Sequence, residues 1–177
     1  MNTKQLFLFR HAKSAWPDGV ADHERPLAER GVKAAPLMAA YMRAEGLVPD
    51  LALVSTARRT QETWALVEPA MSGVERRDEA RLYEAHAEDL LRLVHETGEH
   101  VEKLMLVGHN PGLEILALQI MRPTPSEAEE QLKRKFPTAA LAVLTVETER
   151  WADLSADGAT LTRFITPKIL KKMSQDS

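Results

Sequence analysis

The sequence predicts an α/β protein of three layers, α/β/α, with helices on both faces of a central, mostly parallel sheet. Two observations carry this. Three short apolar runs, Leu6-Phe7-Leu8-Phe9, Leu51-Ala52-Leu53-Val54 and Leu104-Met105-Leu106-Val107, have the continuous pattern of strands buried on both sides. Helical patterns lie between them, and strands alternating with helices mean a sheet covered on both faces. No repeat, linker or low-complexity stretch divides the 177 residues, so a single domain over 1–177 is expected.

The elements follow in order. After the first run, Lys13 to Arg25 is polar and holds Pro17, Asp18, Gly19 and Asp22, all turn formers. A helical pattern covers 26–45, with Leu27, Leu37, Met38, Tyr41 and Met42 as apolar positions. Pro26 suits its start, Pro36 should kink or split it, and Gly46 should end it. The second run leads into a helix from about Thr60 to Met71. Val74–Arg77 is a short strand, 82–86 a loop, and Ala87–His95 a helix. After the third run, Asn110 as N-cap and Pro111 at the first helical position start a helix to about Met121. The charged stretch 126–135 reads as a solvated helix or loop. Thr138–Val146 and Ala159–Ile165 are β-rich, with Asp157-Gly158 favouring a hairpin turn between them. The polar C-terminus, 170–177, should be loose.

Composition excludes several function classes. A net charge of −3 and a pI near 6.1 give no basic stripe for nucleic acid. No apolar segment approaches the roughly 20 residues that span a bilayer, and the N-terminus has no signal-peptide pattern. The absence of cysteine excludes disulfides and thiolate catalysis and fits a reducing compartment. A cytoplasmic protein is expected.

The chemistry sits where the runs end: Arg10-His11 after the first, Ser55 to Arg59 after the second, Gly108-His109 after the third. Ligands of open α/β sheets bind beyond the carboxyl ends of the strands. If the three strands are parallel neighbours, two arginines and two histidines converge on one edge. That set suits a dianionic phosphoryl group, because arginine offers a planar fork of donors with a permanent charge. The helices after Arg59 and Asn110 would add N–H groups and positive dipole ends. No Gly-rich loop with a following lysine occurs, so nucleotide binding is not expected. His86, His95 and His100 read as surface residues without metal-ligand spacing.

In order, Arg10-His11, the segment Ser55-x-x-x-Arg59-x-x-x-Thr63 and Gly108-His109 resemble the signature of the histidine phosphatase superfamily. Arg10-His11-Ala12-Lys13-Ser14, Arg25-Pro26-Leu27, Gly108-His109-Asn110-Pro111-Gly112 and Thr166-Pro167-Lys168 are similar to its small branch, the bacterial SixA-type phosphohistidine phosphatases. The likeness runs from about residue 6 to residue 170. It implies a phosphoglycerate mutase-like fold and a phosphatase with no cofactor or metal. His11 would be the nucleophile, through Nε2. Arg10, Arg59 and His109 would hold the phosphoryl oxygens, with His109 also catalytic. A neutral nucleophile is available because an unperturbed histidine has a pKa near 6.5. The implied partner is a phosphorylated substrate, such as a histidine-phosphorylated protein, with no nucleic acid and no membrane.

Three positions stay open at this point. Arg58, beside the phosphate-binding Arg59, either faces solvent or assists binding. Glu84, in Leu82-Tyr83-Glu84, fits the superfamily's general acid, or is a plain loop residue. Arg25 either binds phosphate from a loop over the site or pairs with nearby acids. Only 25 positions separate Arg59 from Glu84, too short an insert for the capping segments of a phosphoglycerate mutase. The alternatives are a small-molecule phosphomonoesterase of the same superfamily and a non-catalytic phosphoprotein-binding module, which would need no nucleophile.

Overall fold

The first apolar run lies in β1 (Thr3–Arg10), and its alternation explains why it is apolar throughout. Successive strand side chains point to opposite faces. Leu6 and Leu8 enter one buried cluster, Phe7 and Phe9 the other. The same split occurs in β2 (Leu51–Val54) and in β4 (Lys103–Gly108), where Leu104 and Leu106 part from Met105 and Val107. These three strands therefore occupy the middle of three layers. The computed structural model describes residues 3–176.

Six strands order as β3-β2-β4-β1-β5-β6, with β3 at Glu75–Asp78, β5 at Leu141–Glu147 and β6 at Ala159–Ile165. The pairs β3–β2, β2–β4 and β4–β1 are parallel; β1–β5 and β5–β6 are antiparallel. Two reversals bring β6 back into the direction of β1, so both end at the same edge. One face carries α1 (Glu29–Ala44) and α2 (Arg58–Val67), through Met38, Met42, Trp64 and Val67. The other carries α3 (Ala87–His95), α4 (Gly112–Ile120) and α5 (Glu127–Arg134), through Leu90, Leu93, Leu113, Leu116 and Leu132.

Several local expectations shift. The first helix begins at Glu29, not Pro26, because Leu27 bridges to Ser14 and the Ala28 N–H donates to the Lys13 carbonyl at 2.9 Å. A Cβ at Gly31 would collide with that same carbonyl. Pro36 does not divide α1: it is exposed while Ala35, Met38 and Ala39 around it are buried, so packing of the inner face outweighs one lost backbone bond. Gly46 ends the helix with φ +69°. The second helix stops at Val67, and a single 3-10 turn follows through Pro69. Pro111 precedes the first residue of α4 instead of being it. Asp157-Gly158 is no tight hairpin but closes a longer connection containing a 3-10 turn at Trp151–Asp153. The C-terminal segment expected to be loose forms α6 (Pro167–Gln175), capped by Thr166, whose hydroxyl accepts from the Ile169 N–H at 3.1 Å; Ile169 and Leu170 pack on the core. Residue 177 lies outside the described residues. No helix among them is long and apolar enough to cross a membrane.

Candidate active site

The carboxyl ends of β1, β4 and β2 are adjacent, and their polar residues meet there. The His11 and His109 rings lie 5.3 Å apart between centroids. His11 is held from three sides. Its N–H donates to the Gly108 carbonyl (3.1 Å), its carbonyl accepts from Ala139 (2.9 Å), and its ring Nδ1 lies 2.8 Å from the Ala12 carbonyl. A carbonyl can only accept, so Nδ1 carries the proton and Nε2 keeps its lone pair. Burial pushes the imidazole down to about 4; the nearby charges of Arg10, Arg59 and Arg25 act in the same direction, against the Ala12 bond. At neutral pH the ring is uncharged.

The Ser55 to Thr63 segment turns from β2 into α2 and braces both histidines. Ser55 Oγ lies 2.7 Å from His109 Nε2. Thr63, on the second turn of α2, accepts from the Ala12 N–H at 3.0 Å and so pins the residue after His11. Burial, together with the neighbouring His11 and Arg59, pushes His109 down to about 3. Its Nδ1 is buried and, among the described residues, has no hydrogen-bond partner; Arg10 Nε is in the same state. Leaving a buried polar atom unpaired costs about 1–3 kcal/mol, and both atoms belong to residues of this strand-end cluster. Arg10 is otherwise fixed by donating to the Phe136 carbonyl at 3.0 Å, and burial lowers its pKa.

Arg59 is 7 % exposed and donates to the Asp22 backbone carbonyl (2.8 Å) and side chain (3.2 Å). A guanidinium has five donors, so more remain for a ligand. Asp22 is one of the residues that the sequence did not single out for the site. It also accepts from Arg25 (2.9 Å) and from the Tyr83 hydroxyl (2.5 Å). The Tyr83 bond, with help from the two arginines, holds its carboxyl well below the usual carboxylate range. Tyr83 also packs edge-on against His109 at 5.6 Å, and its own hydroxyl is pushed up to about 12, first by burial and then by Asp22. The signals were present but thin: Asp22 stands three residues before Arg25, and Tyr83 immediately before Glu84.

The open positions divide. Arg25 donates to Asp22, to Ser14 Oγ (2.6 Å) and to the Ala15 carbonyl (3.0 Å), and stacks on Trp16 at 3.2 Å. It is paired with a nearby acid and braces the loop. Arg58 is exposed and paired with Glu62 at 2.9 Å. Glu84 is exposed, with a left-handed backbone (φ 55°), and no hydrogen bond joins it to the pocket among the described residues. His86 and His100 are exposed; His95 is half-buried, with Nε2 2.7 Å from the Leu154 carbonyl.

A strand-end histidine kept neutral, faced by a second histidine and flanked by fixed arginines, defines a class of phosphoryl-transfer site. The model of the histidine phosphatase superfamily (branch 1) matches residues 6–105. The chain belongs to this superfamily and is a phosphatase. Among its relatives, an uncharacterized protein of Mycobacterium tuberculosis (strain ATCC 25618 / H37Rv) is 38% identical over 163 residues, covering 90% of this chain and 99% of its own. A structure from Nakamurella multipartitia, assigned to the phosphohistidine phosphatase SixA, matches with TM-score 0.83 at 29% identity, over 94% of this chain and 98% of that one. One from Agrobacterium tumefaciens with the same assignment gives 0.76 at 32% identity, over 93% and 98%. The fold is that of the phosphoglycerate mutase-like histidine phosphatases.

Proposed function

We propose that the chain hydrolyses phosphohistidine on a protein through a phosphohistidine of its own, formed on His11. The observation that carries this is the bond from His11 Nδ1 to the Ala12 carbonyl, 2.8 Å, in a buried ring. It fixes the tautomer in which Nε2 is the nucleophilic atom and burial keeps that atom unprotonated. Nε2 attacks phosphorus and a new N–P bond forms as the substrate's N–P bond breaks; the departing imidazole takes a proton from water. Water then attacks the phosphohistidine, the bond to His11 breaks, and inorganic phosphate leaves.

The remaining groups stabilise the charge on the transferring phosphoryl oxygens. In the tautomer in which Ser55 donates to His109 Nε2, the His109 proton sits on Nδ1, the atom that no described protein group accepts from. Arg10 Nε and the uncommitted donors of Arg59 serve the same oxygens. Fixed cations here do the work that a divalent metal does elsewhere, so no metal is assigned. The likeness to SixA structures and the good leaving group of a phosphohistidine, which asks little of Glu84, favour this substrate over an alkyl phosphate.

The test is a substrate panel with and without EDTA: a histidine-phosphorylated protein, free phosphohistidine, and alkyl and aryl phosphates. Turnover should be highest on phosphohistidine, should persist in EDTA, and should vanish in His11→Ala. Loss in EDTA restored by magnesium or zinc, or a clear preference for an alkyl phosphate, contradicts the proposal.

A further inference from the structure

Beside the active site, a groove of about 920 Å³ runs between α1, α6 and the C-terminal end of α5. Eight lysines and arginines line it, among them Lys13, Arg30, Lys33, Arg134, Lys168 and Lys171, and no aspartate or glutamate does. The chain as a whole has a net charge of −3, so this is a local concentration of positive charge in an otherwise acidic protein. All six named cations are exposed. Among the described residues only Lys33 of the six has an ion pair, to Glu29 at 3.1 Å, and both partners are far out in solvent, where such a pair contributes little.

The groove and the active site share a wall. Lys13 is two positions past His11. Lys135 and Pro137 line the groove on either side of Phe136, whose carbonyl accepts from Arg10 and from Asn110 Nδ2 (2.9 Å). Thr138, also in the groove, precedes Ala139, which donates to the His11 carbonyl. The groove residues Thr166 and Pro167 follow β6, which ends at the same sheet edge as β1.

We propose that this groove docks the acidic face of the phosphorylated protein while its phosphoryl group is presented to His11; the proposal rests on the phosphatase reading above. The form of the groove selects a protein surface over a small anion. A small phosphate is gripped by buried, converging forks of the kind Arg59 supplies, whereas these cations are exposed, spread over three helices and interleaved with Leu37, Phe164 and Ile169. Such an array steers and orients an extended anionic surface with apolar patches, and it acts on encounter and register more than on chemistry.

The test compares two substrates with the same leaving group: a histidine-phosphorylated carrier protein of net negative charge, and free phosphohistidine, which is too small to reach the groove. The variants are Arg30→Gln/Lys168→Gln/Lys171→Gln and, separately, Lys33→Gln/Arg134→Gln, each checked for folding by thermal melting. The ratio of kcat/KM, protein over free amino acid, should fall about tenfold or more in the triple variant, through KM. The rise in KM between 50 and 200 mM salt, expected for the wild type because the interaction is screened, should flatten. An unchanged ratio in both folded variants overturns the docking proposal and leaves the phosphatase standing. Tighter binding of a DNA oligomer or of ATP than of the carrier protein, lost in the variants, also overturns it, in favour of a nucleic acid or a small polyanion. No turnover of either substrate by the wild type overturns the phosphohistidine phosphatase reading on which this proposal rests.

Discussion

Along the carboxyl edge of the sheet, cations stand in two arrangements. At the ends of β1, β4 and β2, Arg59 and Arg25 are buried and tied to Asp22, and Arg10 to the Phe136 carbonyl. Toward β6, the groove cations are exposed. The contrast separates two uses of positive charge. A buried, fixed guanidinium loses little on meeting a transition state, because its orientation is already set. An exposed lysine is screened by salt and must be ordered on binding, so it contributes to encounter and orientation. On the two proposals above, the same sheet edge serves chemistry on one half and recognition on the other.

The largest expected effect lies on the fixed half. Arg59→Met should lower kcat/KM by about 10³ or more on every substrate, the scale on which an arginine stabilises a transferring phosphoryl group. Steady-state kinetics on free phosphohistidine and on the carrier protein check this. A loss confined to the protein substrate would break the comparison, because Arg59 would then be acting as the groove does.

A smaller and more selective effect is expected at Glu84, exposed at the rim. From an alkyl phosphate the departing oxygen is strongly basic and needs a proton, and general acid catalysis contributes roughly 10²–10⁴. Glu84→Gln should therefore cost roughly 10² on an alkyl phosphate and less than about tenfold on phosphohistidine, on the order of 1.4 kcal/mol of barrier. Equal losses on both would assign Glu84 to positioning or charge; no loss on either would make it a loop residue.

The smallest effect is on stability. Burial keeps His11 and His109 neutral in the fold, at about 4 and about 3, against about 6.5 unfolded. Between those values the unfolded chain binds protons that the folded one does not. Their contribution is full above about pH 6.5 and is lost as pH falls toward the folded values. Melting temperatures taken from pH 7 down to 4.5 should fall less steeply in His11→Gln/His109→Gln than in the wild type. Equal slopes would mean that the two rings are not held neutral by burial.

The sequence exposed the fold because β1, β2 and β4 feed both cores: continuous apolar runs have no other economical reading, and each ends in the residues of the site. Arg10, His11, Arg59 and His109 were legible for that reason. Asp22, Tyr83 and the bracing role of Thr63 were not. They reach the pocket from a 3-10 turn at Asp22–Glu24, from the residue that follows another at Ala80–Leu82, and from the second turn of α2, and their meeting depends on tertiary placement that no local period records. Arg25 was legible only as a pair of alternatives, since a loop arginine beside acids reads the same way whether it binds a ligand or a neighbour. The C-terminal helix was missed because 170–177 is polar, whereas its anchor, the Thr166 cap with Pro167 at the first position, lies just upstream. The groove escaped notice because its cations come from four separate stretches, and only packing brings α1, α5 and α6 together.

The central claim is that His11 accepts the phosphoryl group, and trapping it is the most direct test. Enzyme is mixed with a ³²P-labelled histidine-phosphorylated protein, quenched in alkaline denaturant over a single turnover, and digested for peptide mapping. The expected result is acid-labile, base-stable label on the peptide holding His11, with no label and no turnover in His11→Ala. Label on His109 instead, or wild-type turnover in His11→Ala, contradicts the claim.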